Sequence, residues 1–253
     1  MRSLILLIFC TLVATACGKK GPLIYPDQLV PSSPTTVTVR QSGPGIKLSF
    51  VLPDKDRAGQ SLKGLAGLKI FKRETQTGQE QACNACSDDF KLFKTLYLEK
   101  LDINARRYGD LVILQDSDVV MGQDYAYKVI PFMKDGVDGE SSEPVSVTML
   151  QAPPSPVIKA ISSPTEIQLT FAEPPLKEEK FAGYNLYRTV KGEAMPYLPI
   201  NKVPIIINTF TDSGLKRRIT YSYGARAVIR ATSGALVESA LSNEVSGMLK
   251  DEE

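Results

Sequence analysis

The chain has 253 residues, 43% of them hydrophobic and 23% charged, and its 30 Lys and Arg against 28 Asp and Glu leave a net charge of +2. This composition is typical of a globular protein with one or two domains, and the charge is too even for an electrostatic nucleic-acid binder. The sequence contains no His and no Trp. Without His it cannot build a Ser-His-Asp triad, a His-ligated metal site or a His-held haem. We therefore expect no enzymatic activity, no cofactor and no nucleic-acid partner.

Residues 1–16 have the features of a signal peptide. Arg2 forms a basic start, and the apolar run 4–13 follows it, which is too short for a transmembrane helix of about 20 residues. The run ends in the sequence A-T-A-C at Cys17, which resembles the lipobox of bacterial lipoproteins. The resemblance implies cleavage before Cys17, acylation of its thiol and anchoring in the lipid bilayer. Gly18 after the Cys implies the outer membrane, on its periplasmic face or at the cell surface. An ordinary secreted protein cleaved at the same place is the alternative.

Residues 17–34 are predicted to form a flexible, lipidated tether. Its first part, 17–26, reads C-G-K-K-G-P-L-I-Y-P and resembles the start of the small outer-membrane lipoproteins associated with the lipopolysaccharide transport translocon. The resemblance implies contact with that translocon. The alternative is that a lipidated chain needs a polar spacer containing Gly and Pro after its anchor. Fully extended, a tether of about 17 residues reaches about 50 to 60 Å.

After the tether, the chain repeats itself. Pro-rich stretches at 31–34 and 153–156 precede two segments in which four blocks recur in one order. The paired blocks are 45–50 with 166–171, 66–72 with 182–188, 116–127 with 212–223, and 142–145 with 242–245. The blocks alternate apolar and polar residues, a pattern that predicts half-buried strands. The sequence therefore predicts two antiparallel β-sandwich domains, 35–150 and 153–250, joined by a short linker.

The third of these block pairs carries a family resemblance. The run T-D-S-G-L at 211–215, followed by Tyr221, resembles the E–F corner and F strand of fibronectin type III domains, and Tyr125 takes the same place in the first copy. The resemblance implies an all-β fold of two tandem immunoglobulin-like sandwiches, in which the hydroxyl groups of Tyr125 and Tyr221 bind backbone at a tyrosine corner. The family's strand-B Trp is absent, and Phe50 and Phe171 stand in its place.

Cys83 and Cys86 form a C-x-x-C motif within about 20 residues that the first domain carries in addition to the second. Three interpretations compete. A redox pair needs a helix N-terminus or basic surroundings, whereas this motif lies in an acidic stretch. A zinc site needs four ligands, and one chain lacks them. A local disulfide in an oxidising compartment fits best, because removal of Cys10 and lipidation of Cys17 leave one even pair. A thiol oxidoreductase remains the minor alternative.

Together these patterns predict a non-catalytic lipoprotein of the cell envelope that serves as a binding or scaffold module. The predicted contact surface comprises the loops at the ends of the sandwiches and the inserted loop with Cys83 and Cys86, because loops on rigid sheets commonly carry recognition. The expected partner is an envelope protein or a glycan. An accessory role in lipopolysaccharide transport through residues 17–26 is the alternative.

Overall fold

The computed structural model describes residues 25–76, 89–172 and 181–251. These ranges form β-strands and one turn of 3-10 helix, Pro26–Gln28. The strands of the first half are β1 (Thr35–Ser42), β2 (Gly45–Val51), β3 (Leu65–Gln76), β4 (Lys91–Tyr97), β5 (Ala105–Tyr108), β6 (Leu111–Asp116), β7 (Gln123–Met133) and β8 (Val145–Thr148). Those of the second half are β9 (Ile158–Ser162), β10 (Glu166–Phe171), β11 (Phe181–Val190), β12 (Thr209–Ser213), β13 (Tyr221–Arg230), β14 (Leu236–Glu238) and β15 (Val245–Gly247).

The first half is a β-sandwich. One sheet has the strand order β1-β2-β6-β5 and the other β4-β3-β7-β8, with antiparallel pairing within each. Alternation along β2 directs Ile46, Leu48 and Phe50 inward, and all three are fully buried. They meet Leu68 and other side chains of the opposite sheet in one core. The period of two in the sequence thus separates a core face from an outer face.

The second half repeats this arrangement. Strands β12-β10-β9 form one sheet, and β11, β13, β14 and β15 form the opposite sheet. In the core, Phe171 stacks on Tyr184 with ring centroids 4.6 Å apart and planes 15° apart. Phe171 and Phe50 are both buried, so each fills a core position of its own sandwich. The predicted all-β sandwich fold class is confirmed.

The later residues of the segment predicted as a tether are bound to the first sandwich. Backbone hydrogen bonds join Ala58 N to Gln28 O at 3.0 Å and Arg57 N to Val30 O at 3.1 Å. Pro31 is buried and its carbonyl accepts from Glu140 N at 2.8 Å. These contacts satisfy polar backbone groups that a flexible spacer would expose to water. Residues 28–34 therefore belong to the first domain.

Candidate functional site

The two tyrosines at the predicted corners hold the turns that precede their strands. The Tyr125 hydroxyl accepts a hydrogen bond from Val120 N at 2.7 Å, and the Tyr221 hydroxyl accepts one from Lys216 N at 3.1 Å. In both domains the bond spans five residues and satisfies a backbone donor within the turn. This geometry is structural rather than catalytic, since each hydroxyl is used to hold backbone.

Behind each corner lies a buried cluster of one carboxylate, one phenol and one cation. In the first domain, Asp116 accepts from the Tyr127 hydroxyl at 2.6 Å and from the Lys72 ammonium at 3.0 Å. Asp116 is 1% exposed. Burial and the Asp116 carboxylate raise the pKa of Tyr127 far above its ordinary value. Burial lowers the pKa of Lys72, but hydrogen bonds to Asp116 and Glu74 outweigh it and raise that pKa. The carboxylate, the phenol and the ammonium of this cluster are thus partners of one another.

The second domain carries the same cluster. Asp212 accepts from the Tyr223 hydroxyl at 2.8 Å and from the Arg188 guanidinium at 2.7 Å. Burial, with the Asp212 carboxylate, raises the pKa of Tyr223 well above its ordinary value. The repeated sequence blocks already align these residues with Asp116, Tyr127 and Lys72. That alignment, with Asp and Tyr 11 residues apart in both copies, is the signal that would have found the clusters.

The remaining predicted site residues, Cys17, Cys83 and Cys86, lie outside the described residues. Their predicted lipidation and disulfide therefore stay predictions. Within residues 25–76, 89–172 and 181–251, no group of three or more His, Cys, Asp and Glu is arranged to hold a metal ion. No helix in that part of the chain is long and apolar enough to cross a bilayer.

The two sandwiches are joined into one sheet at a junction that sequence reasoning missed. Strand β14 of the second domain lies parallel to β1 of the first and pairs with it at Ser42 and Glu238. Gly43 N donates to Glu238 O at 2.9 Å. The resulting eight-stranded sheet runs through both domains. Gly43 has φ +61°, and a Cβ there would meet the Ala240 backbone at 3.0 Å, so the close approach requires glycine.

A buried ion pair lies beside this strand pair. The Lys47 ammonium is 2.8 Å from the Glu238 carboxylate, and both side chains are 12% exposed. Glu238 also accepts hydrogen bonds from Ser42 Oγ at 2.6 Å and from Asn185 Nδ2 at 2.6 Å. The Tyr187 hydroxyl bridges the pair, since it accepts from Lys47 Nζ and donates to Glu238, both at 3.1 Å. Carboxylate, cation and phenol thus come from both domains and satisfy one another.

The electrostatics of this cluster favour the ionised carboxylate. Burial raises the pKa of Glu238, but the Lys47 ammonium and the hydrogen bonds from Ser42 and Asn185 outweigh it and hold that pKa below its ordinary value. Burial lowers the pKa of Lys47, and the Glu238 carboxylate offsets part of the effect. Burial, together with the Glu238 charge, raises the pKa of Tyr187 far above its ordinary value. The pair is therefore held by mutual attraction and direct hydrogen bonds rather than by solvent.

A second contact secures the other side of the junction. The Tyr108 hydroxyl of the first domain accepts from Tyr197 N of the second at 2.9 Å. The Arg106 guanidinium lies over the Tyr197 ring, 5.6 Å from its centroid. Within the first domain, the Gln41 side chain donates to Leu150 O at 2.7 Å and accepts from Leu150 N at 2.9 Å, which ties the start of the linker to β1. The strand pair, the ion pair and the Tyr197 contact join one domain to the other.

A groove of about 640 Å³ opens above the junction, between the two domains. The first domain lines it with β1, β3, β7 and β8, and the β13–β14 hairpin of the second domain forms the facing wall. Its charged lining residues are Arg40, Arg73, Arg230 and Asp124. Cations outnumber carboxylates here, in a chain that is nearly balanced as a whole. The groove is the strongest candidate for a binding site in the described chain.

Comparison with known proteins adds little to this geometry. No family model matches the chain, and no curated protein matches it. Among solved structures, the chain is similar to the FN1–FN3 domains of chicken CNTN1, at 16% sequence identity and a TM-score of 0.30. The match covers 88% of this chain and 66% of that one, so the chain spans just under two thirds of that structure. The fold assignment rests on the strands and sheets described above.

Proposed function

We propose that this protein is a non-catalytic lipoprotein, anchored in the outer membrane through acylated Cys17, whose tandem sandwiches bind or scaffold another component of the cell envelope. The observation that carries the proposal is the junction around Lys47 and Glu238. An ion pair, a strand pair and the contact at Tyr197 set the domains at a fixed orientation, and two rigidly joined sandwiches present one preorganised surface. Preorganisation lowers the entropic cost of binding a partner that spans both domains.

The docking of residues 28–34 refines the anchoring part of the proposal. If Cys17 is acylated, the spacer between lipid and folded domain extends only to about residue 27 and reaches about 35 Å at most. The first sandwich would then be held close to the bilayer, and a partner reached by the tandem would lie near the membrane surface. At least two acyl chains are needed for stable residence.

Two measurements test the proposal. Cells that express the full chain with its own N-terminus are labelled with radioactive palmitate, and the label should appear in the chain but not in a Cys17→Ser variant. Chemical crosslinking in intact cells, followed by purification, should then recover a specific envelope protein or glycan. Absence of label from the unaltered chain refutes the anchor, and recovery of bulk lipid alone refutes the binding role.

A second candidate function is an accessory role in lipopolysaccharide transport through residues 17–26. The observation in its favour is that Tyr25, at the end of that segment, is 59% exposed and so accessible to a partner. Grafting residues 17–26 onto an unrelated outer-membrane lipoprotein should make that protein co-purify with translocon components. A graft that recovers none of them, while the unaltered chain does, removes the segment as the point of contact.

A further inference from the structure

We infer that the groove between the domains binds an extended acidic peptide segment, which adds as a strand in the opening between β1 and β14. The inference rests on the proposed binding function and names its site and the chemistry of its partner. Three observations carry it: the two strands part above a single pair, their polar backbone edges face the groove, and the groove is rich in arginine.

The opening follows from the register of the eight-stranded sheet. Strands β1 and β14 are parallel, yet in the described chain they pair only at Ser42 and Glu238. Before that pair, residues of both strands line the groove and do not pair with each other. Val39 lies on one wall and Leu236 on the other. The sheet therefore contains a gap at this position, bounded on each side by a strand.

The backbone groups along both walls point into this gap. Gly43 N donates across it to Glu238 O, and the backbone groups of alternate residues in a strand face the same edge. The N–H and C=O groups of Val39 therefore face the gap from β1. In the same way, those of Leu236 face it from β14, since Leu236 lies two residues before Glu238. Such edges are templates for another strand.

The charge of the lining selects an acidic occupant. Arg40 and Arg230 are exposed on opposite walls, and Arg73 lies in the floor with its guanidinium 4.9 Å from the centroid of the Phe90 ring. The Asp124 carboxylate accepts a hydrogen bond from Thr148 Oγ1, which satisfies part of its demand. Arginines on both walls would pair with acidic side chains at every second position of an added strand, because every second side chain of a strand points to the same face of the sheet.

The junction makes such a site possible. The two walls of the groove belong to different domains, and a strand can insert between them only if the distance between the walls is constant. The Lys47–Glu238 pair and the Tyr197 contact hold that width at the base and at the side. A peptide would therefore enter a preformed gap and would add hydrogen bonds to the edges of both strands.

The experiment uses the full chain in detergent and a fluorescein-labelled ten-residue peptide that alternates Glu with Val or Thr. Fluorescence anisotropy measures binding of the labelled peptides, and there are four comparison probes. Two are labelled peptides: the same sequence with Lys for Glu, and the same sequence with alternate N-methylated amides. The other two, inorganic phosphate and phosphatidylglycerol vesicles, are added as unlabelled competitors. The acidic peptide should bind, and the Lys peptide and N-methylated peptide should bind at least about tenfold more weakly. Binding should protect the Val39 and Leu236 amides from hydrogen exchange.

Matched variants locate the site. Arg40→Glu with Arg230→Glu should weaken binding about tenfold or more, because both walls reverse their charge. Lys63→Glu with Lys100→Glu changes the net charge equally at exposed positions outside the groove, and should change affinity less than about twofold.

Four outcomes overturn the inference. The first two are failure of every acidic peptide to bind and equal binding of the N-methylated peptide. The other two are equal loss in both double variants, and Arg40- and Arg230-dependent binding of phosphate or vesicles in place of peptide. The proposed function is judged separately, by crosslinking in cells with the Arg40 and Arg230 double variant. If this variant still recovers an envelope partner, the binding role stands without the groove. If it recovers none while the unaltered chain does, the groove is the site of that binding.

Discussion

Replacing Glu238 with Ala should destabilise the protein strongly, because it breaks the ion pair at the junction from one side. The Lys47 side chain, which is 12% exposed in the unaltered protein, would keep only the Tyr187 hydroxyl among its close partners. The donors of Ser42 and Asn185 would lose their acceptor as well. Removal of one partner from a buried pair costs about 3 to 5 kcal/mol. We expect about 3 kcal/mol here, since some water reaches the site.

Urea unfolding followed by circular dichroism measures this loss. With a slope of about 2 kcal/mol per M, a loss of about 3 kcal/mol lowers the unfolding midpoint by about 1.5 M. Glu99→Ala is the matched control, because Glu99 pairs with Lys134 at 3.0 Å on the surface, where the two side chains are 81% and 65% exposed. That change should cost less than about 0.5 kcal/mol.

A double-mutant cycle shows whether the cost comes from the pair itself. Lys47→Met combined with Glu238→Ala should be less destabilising than the sum of the single changes, because the double variant leaves no unpaired buried charge. The reasoning is refuted if the two single changes add without coupling, or if Glu238→Ala shifts the midpoint no more than Glu99→Ala does.

Three further predictions follow from the described contacts. Tyr125→Phe removes the acceptor of Val120 N and should cost about 1 kcal/mol in urea unfolding without changing the fold; an unchanged midpoint would contradict the role of the corner. Gly183→Ala should cost about 2 kcal/mol or more, because φ is +126° and the added Cβ would lie 2.7 Å from Ile205 O; a neutral effect would show that this close approach is not required. The Glu238 carboxylate has a pKa below its unfolded value, so its contribution to stability is complete above about pH 4.5 and is lost as the pH falls through the folded pKa; Glu238→Gln should flatten this part of the stability profile, and an unaltered acid profile would contradict it.

Much of each sandwich could be predicted from local pattern. The alternation of Ile46, Leu48 and Phe50 with polar neighbours marks a half-buried strand, since a strand has a side-chain period of two. The repeated Asp, Tyr and cation positions also carry the clusters, because equivalent positions in two copies of one fold place equivalent side chains together. These features depend on residues that are close in sequence or that the repeat aligns.

The junction could not be predicted, for a physical reason. Lys47 occupies an outward position of β2, and an outward Lys is ordinarily solvated. Its burial depends on Glu238, which lies in the β13–β14 hairpin of the other domain, almost 200 residues further along the chain. Only the three-dimensional arrangement brings the two together. The docking of residues 28–34 was missed similarly, because Pro and Ser suit an extended spacer and a docked extended segment equally well.

Residual dipolar couplings of the two domains in solution test the fixed junction. The amide couplings of residues 35–150 and of residues 157–250 are fitted separately to an alignment tensor, in the full chain in weakly aligned medium. A junction held by Lys47 and Glu238 predicts one tensor, of equal magnitude and orientation in both domains. In the Glu238→Ala variant, the two domains should give different tensors. Different tensors in the unaltered chain would show that the domains reorient, and would contradict both a preorganised binding surface and a groove of constant width.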